Sequence, residues 1–111
     1  MNNLKEIFLK NNYNIKKETT KAVEFENIFV KQVVYLLPNQ EISIVLNPKI
    51  VEGNEELETK SFKKYHSTAL KQFPKKRNKG KQPINYGYSF KFQSDNELNT
   101  FLSNFNSRFC E

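Results

Sequence analysis

At 111 residues the chain has room for one domain and not two, and its formal net charge of +6 favours acidic partners over basic ones. The apolar fraction is only 37%, but ten Phe and five Tyr supply large burial per residue, which excludes a disordered chain in favour of a thin core of rings and β-branched side chains. A single cysteine, Cys110, excludes a disulfide framework within one chain, and no apolar run approaches the length of a membrane span.

The N-terminal stretch carries Lys5, Glu6 and Lys10 among its apolar residues and has no small-residue cleavage pattern, so it does not read as a secretory signal and the expected location is cytoplasmic. Leu4, Ile7 and Phe8 stand at helical spacing, and Asn3 followed by Glu6 fits a capping arrangement. A short helix is predicted from about Leu4 to Lys10, stopped by Asn11-Asn12. Alternation then takes over. Val23 and Phe25 flank Glu24, a longer run goes from Ile28 through Leu37, and Pro38-Asn39-Gln40 is a turn. Beyond it Ile42, Ile44 and Leu46 share one face. The pattern predicts a three-stranded antiparallel meander from about Ala22 to Leu46, closed by Asn47-Pro48.

Residues 49 to 60 are polar, with Glu52, Glu55, Glu56 and Glu58 around Gly53-Asn54, and read as a surface loop or a solvated helical turn. From Lys60 to Lys81 the sign reverses: nine cations occur with no acid between them. Ser67 to Gln72 is compatible with one or two helical turns, ended by Phe73-Pro74. Ile84 to Phe92 reads as a strand with Tyr86, Tyr88, Phe90 and Phe92 on one face. Ser94 with Glu97 three residues later is a capping box, and Leu98, Phe101, Leu102 and Phe105 continue at helical spacing, which predicts a helix from about Asp95 to Asn106. The order helix, three strands, connection, strand, helix implies an α+β fold: a two-layer sandwich with an antiparallel sheet and helices packed on one face.

Several of these segments resemble the YgaC-like family of small bacterial proteins. The likeness is carried by Tyr65, Phe73-Pro74, a basic loop with Gly80, Tyr86-Gly87, Phe90, and Phe92-Gln93-Ser94 leading into Leu98 and Leu102. It extends to Tyr13 after the first helix, to Lys21-Ala22 at a strand start and to Leu46-Asn47-Pro48 at a strand end, and so spans about Leu4 to Phe105. The resemblance implies a two-layer α+β domain similar to secretion chaperones and to the N-terminal domain of the competence regulator TfoX, and it implies no activity. The chain departs from the family pattern at Asn85, where the family has His, and at Tyr88-Ser89, where it has Ile-Pro.

The densest surface chemistry is the basic segment. Lys75, Lys76, Arg77, Lys79 and Lys81 fall between Pro74 and Pro83, and Lys63, Lys64 and Lys71 extend them. Such a loop can track a phosphate backbone by releasing counterions. Phe73, Tyr86 and Tyr88 would add base stacking if exposed, although rings at alternate strand positions usually face a core. The acidic block at Glu52 to Glu58 can pair with these lysines. His66, the only histidine, lacks the partners that general-base or zinc chemistry needs, so no catalytic residue, metal or cofactor is expected. Gly87 is expected where a ring packs across its strand, and Cys110 sits near a terminus. The expected function is a non-enzymatic module binding nucleic acid or an acidic protein, with no membrane partner. The alternative is a protein-interaction or chaperone-like homodimer that uses an exposed sheet edge, for which Phe29 to Leu37 is the candidate, or a helix face.

Overall fold

The computed structural model describes residues 2–77 and 82–109. Lys79, Gly80, Lys81 and Cys110, singled out above, lie outside the described residues. The chain runs α1 (Asn2–Lys10), β1 (Tyr13–Glu18), β2 (Val23–Asn27), β3 (Val33–Leu36), β4 (Ile42–Leu46), α2 (Pro48–Val51), α3 (Glu55–Lys60), β5 (Lys63–His66), β6 (Lys75–Arg77), β7 (Pro83–Phe92) and α4 (Asp95–Phe109). The strands form one antiparallel sheet in the order β1-β2-β3-β4-β7-β5, with β6 paired to β7. The fold is thus the α+β sandwich that the patterning implies, and among the described residues no helix is long and apolar enough to cross a membrane.

Helices α1 and α4 lie together on one face of the sheet. Ile7 and Phe8 of α1 and Leu98, Leu102 and Phe105 of α4 bury against the inward positions of β2, β3, β4 and β7. Phe8 stacks on Phe25 with centroids 4.1 Å apart and planes 8° from parallel. Burying each such ring contributes about 1.5–3 kcal/mol, and a well-placed ring pair adds about 0.5–1.5 kcal/mol. Polar bonds fix the helix pair to the first strand: Asn11 Nδ2 donates to Asn99 Oδ1 (2.8 Å), Tyr13 OH to Asn106 Oδ1 (2.8 Å), and Asn106 Nδ2 to the Asn11 carbonyl (2.6 Å). Ser94 Oγ accepts from the Glu97 N–H (3.2 Å), which caps α4 as expected.

The opposite face is covered in part by the connection from β5 to β6. Leu70 and Phe73 are buried there against Tyr35, Leu37 and Val45. Tyr35 anchors the connection: its hydroxyl donates to Glu24 Oε1 (2.8 Å) and accepts from the Gln72 N–H (3.0 Å), while its ring meets Phe73 edge-on. Gly87 lies under this cover. A Cβ there would stand 2.5 Å from Val45 Cγ1, 2.7 Å from the Leu46 carbonyl oxygen and 3.0 Å from Phe73 Cδ2, so the ring does pack across the strand at this glycine.

Four sequence expectations are corrected. Helix α1 starts at Asn2, which puts Asn3 inside its first turn and not at the cap, and α4 continues to Phe109. Strand β1 was not expected, because only Tyr13 of its residues is buried and it carries no apolar alternation; pairing with β2 creates it. Ile28, Phe29 and Val30 form a turn and not the start of a strand. Asn27 Oδ1 accepts from the N–H groups of Phe29 (2.9 Å) and Val30 (3.2 Å), an arrangement that competes with extended pairing. Finally, β3 lies between β2 and β4, so Phe29 to Leu37 is no edge. The edge on that side is β1, blunted by Lys16, Lys17 and a bulge between Ile15 and Lys17.

Candidate nucleic-acid interface

Two short helices precede the basic segment, each started by an asparagine. Asn47 Oδ1 accepts from the Lys49 N–H and Asn54 Oδ1 from the Leu57 N–H, so of the two expectations for the polar stretch, loop or helical turn, the helical one holds, as α2 and α3. They carry the chain across the sheet end to β5, which pairs with the middle of β7 in the register Lys63↔Ser89 to His66↔Tyr86. After the covering connection the chain returns as β6, in the register Lys75↔Asn85 to Arg77↔Pro83. The segment expected as an irregular basic connection is therefore two strands joined by a turn-rich stretch that buries Leu70 and Phe73. Sequence signals for these strands are poor, since Lys-rich runs of three or four residues lack an apolar period.

Backbone bonding separates the two edges of β7. The Tyr86 N–H donates to the Pro74 carbonyl (3.0 Å), on the edge that β4 also uses, whereas the Asn85 and Ser89 carbonyls accept from Ser67 (3.0 Å) and Phe62 (2.8 Å) on the β5 edge. Alternation then assigns the faces. Lys64, His66 and Lys76 share the face of Ile84, Tyr86 and Tyr88; Lys63, Lys75 and Arg77 point to the other. Lys71 belongs to the connection that covers this second face and borders a small cleft with Glu24 and Tyr35. Whatever their face, Lys63, Lys64, Lys71, Lys75, Lys76 and Arg77 are all exposed. The ion pairs among the described residues use Lys5, Lys16, Lys91 and Arg108, and none of the six.

The rings behave differently from the cations. Phe73 is buried, Tyr86 is buried and Tyr88 is half-buried, so these rings mainly face a core, as rings at alternate strand positions usually do. His66 is half-buried and stacks on Tyr86 at 5.7 Å, and Lys76 Nζ lies 5.6 Å from the same ring. A different ring is available: Phe62, which is 54% exposed, with Lys91 Nζ 4.0 Å and Lys63 Nζ 5.4 Å from its centroid. It escapes sequence reasoning because it stands alone before β5.

The acidic block does not pair with the lysines as a block. Glu56 pairs with Arg108, and Glu58 Oε2 accepts from the Gly53 N–H (2.9 Å). Glu52 faces the basic surface. Its Oε2 accepts from the hydroxyls of both Tyr86 and Tyr88, each at 2.9 Å. Those two bonds, helped by the charges of Lys76 and Lys64, hold its carboxyl below the usual carboxylate range. The Tyr88 hydroxyl is pushed up to about 12, first by burial and then by the Glu52 carboxylate, and Tyr86 is raised for the same reasons. Among the described residues no group of three or more His, Cys, Asp or Glu side chains converges as a metal site would require.

Comparison of the chain with protein families, curated proteins and solved structures returns no match. The likeness to YgaC-like proteins rests on the short motifs that carry it.

Proposed function

We propose that this protein is a non-enzymatic binding module for polyanions, nucleic acid foremost, that acts through the end of the sheet formed by β5, β6 and β7. One observation carries this: Lys63, Lys64, Lys75, Lys76 and Arg77 are exposed on β5 and β6, Lys71 is exposed on the connection between them, and none of the six takes part in an ion pair among the described residues. Cations without an acidic partner attract a polyanion, and binding one neutralises them. His66 supports the same view, because its ring is used in stacking on Tyr86. The test is fluorescence anisotropy with labelled DNA and RNA at low and near-physiological salt. Specific use of the surface gives binding that persists at physiological salt, with log K falling by about 0.7–0.9 per decade of salt for every phosphate engaged. Changing Lys75, Lys76 and Arg77 together to Ser should lower that slope by about 3 and weaken binding while the melting temperature is kept. Retained affinity in the triple variant would count against the proposal.

A second reading, a protein-interaction module that self-associates, is favoured by the turn between β2 and β3. Phe29 there is 67% exposed, with Ile28 and Val30 each at 42%. A dimer at micromolar concentration that Phe29→Ser converts to monomer would support it, and a monomeric parent protein would sink it.

A further inference from the structure

We infer that the β6–β7 ribbon enters the major groove of double-helical DNA, with cations on its two faces engaging the two phosphate walls. This rests on the polyanion-binding reading and specifies its ligand and geometry.

The ribbon is a distinct feature of the sheet. The last register pair of β4 with β7 is Leu46↔Tyr88, and that of β5 is His66↔Tyr86. Beyond them the register pairs of β7 among the described residues are those with β6, Lys75↔Asn85, Lys76↔Ile84 and Arg77↔Pro83, the Asn85 carbonyl still accepting from the Ser67 N–H (3.0 Å). Three register pairs at about 3.4 Å per residue make a two-stranded ribbon about 10 Å long, buried at Asn85 and exposed at Lys75, Lys76, Arg77 and Pro83. A B-form major groove is about 12 Å wide and about 8.5 Å deep, and admits a two-stranded ribbon of this kind.

Charge placement selects a groove over a flat ligand. Lys76 lies on the face of Ile84 and Tyr86, with Lys64 behind it; Lys75 and Arg77 lie on the face of Asn85, whose side chain donates to the Phe73 carbonyl on the opposite side of the sheet. A single strand or a planar anionic surface lies against one face and leaves the other face's cations in water. A groove has phosphates on both sides, so it neutralises both sets at once. Single-strand recognition would also call on exposed stacking rings; Phe62, ahead of β5, is one such ring, but Phe73 and Tyr86 next to β6 are buried. Double-helical RNA fits less well, because its major groove is deep and narrow.

The test uses one labelled sequence as duplex DNA, as single-stranded DNA and as duplex RNA, with heparin as a polyanion lacking grooves. Two variants divide the faces, Lys76→Ser and the pair Lys75→Ser with Arg77→Ser, and thermal melting verifies that each is folded. The expected result is a preference for duplex DNA over the other ligands. Both variants should weaken duplex binding, reducing the salt slope by about 1 for Lys76 and about 2 for the pair. Bound protein should also shield guanine N7, a major-groove atom, from methylation. Equal or tighter binding to single strands or duplex RNA would overturn the inference. So would a duplex affinity that depends on one face only, or unshielded guanine N7. Failure to bind any of the four ligands would instead remove the polyanion reading itself, and this inference with it.

Discussion

Gly87 and Gly53 allow one substitution, Gly→Ala, to be compared under two different physical penalties. At Gly87 the added methyl meets Val45 Cγ1 at 2.5 Å and the Leu46 carbonyl oxygen at 2.7 Å, both closer than real Cβ atoms come to a neighbour. Neither atom yields easily. Val45 is fully buried and β-branched, and Leu46 is in register with Tyr88 in the β4–β7 ladder. Overpacking of this kind costs about 1–3 kcal/mol, and the alanine returns about 0.4–1 kcal/mol by restricting the unfolded chain. With two rigid contacts the cost falls at the upper end, for a net loss of about 2 kcal/mol. In a domain of this size that lowers the melting temperature by about 8 °C, taking about 4 °C per kcal/mol. Gly53 has nothing within 4 Å of its would-be methyl, and its penalty comes only from a φ of +89°. There the expected loss is about 1 kcal/mol, or about 4 °C. Thermal melts with urea titrations measure both, and the urea m-value should stay constant if only the native state is strained. A Gly87→Ala protein that melts at or above the parent, or that loses less than Gly53→Ala, would refute the steric argument and the placement of Phe73 over β7.

Tyr35→Phe removes the hydroxyl that serves both Glu24 and the Gln72 N–H, leaving a buried carboxylate without its donor. A loss of about 1.5–3 kcal/mol is expected by urea denaturation, and a loss under about 0.5 kcal/mol would mean that the connection is not anchored there. Glu52→Gln removes an acid that faces Lys64 and Lys76, so binding of heparin or duplex DNA should tighten several-fold at low salt and converge on the parent at high salt; unchanged affinity at low salt would place the bound anion elsewhere. Glu52 has a lowered carboxyl, so its contribution to stability is present above the ordinary carboxylate value and is lost as pH falls through the lower folded value. Glu52→Gln should therefore reduce the loss of stability between neutral and acid pH. Tyr35, Tyr86 and Tyr88 are raised, the opposite sign: their contribution is present below pH 10 and is lost as pH rises toward their folded values. Tyrosinate absorbance should show Tyr88→Phe deleting a step near 12, and a missing step nearer pH 10 would contradict the Glu52 bond.

What the sequence determined by itself is local. Ser94 and Glu97 mark a helix start because capping needs only neighbours along the chain, and Ile42, Ile44 and Leu46 mark a strand because an apolar residue at every second position has one face to bury. The four rings of β7 are legible for the same reason, and so is the choice of an α+β sandwich. Tertiary structure decided the rest. Tyr13–Glu18 becomes a strand only because β2 offers it a partner, and Lys63–His66 and Lys75–Arg77 do so only because β7 has free edges there. The same contacts buried Phe73, left Phe62 exposed, and brought Glu52 to Tyr86 and Tyr88, which lie 34 and 36 residues away in the chain. The sequence puts eight cations between residues 63 and 81, but a list of charges has no faces. Strand pairing and the pleat divided five of the described six between two sides of a sheet, and that division is what distinguishes a groove from a flat surface.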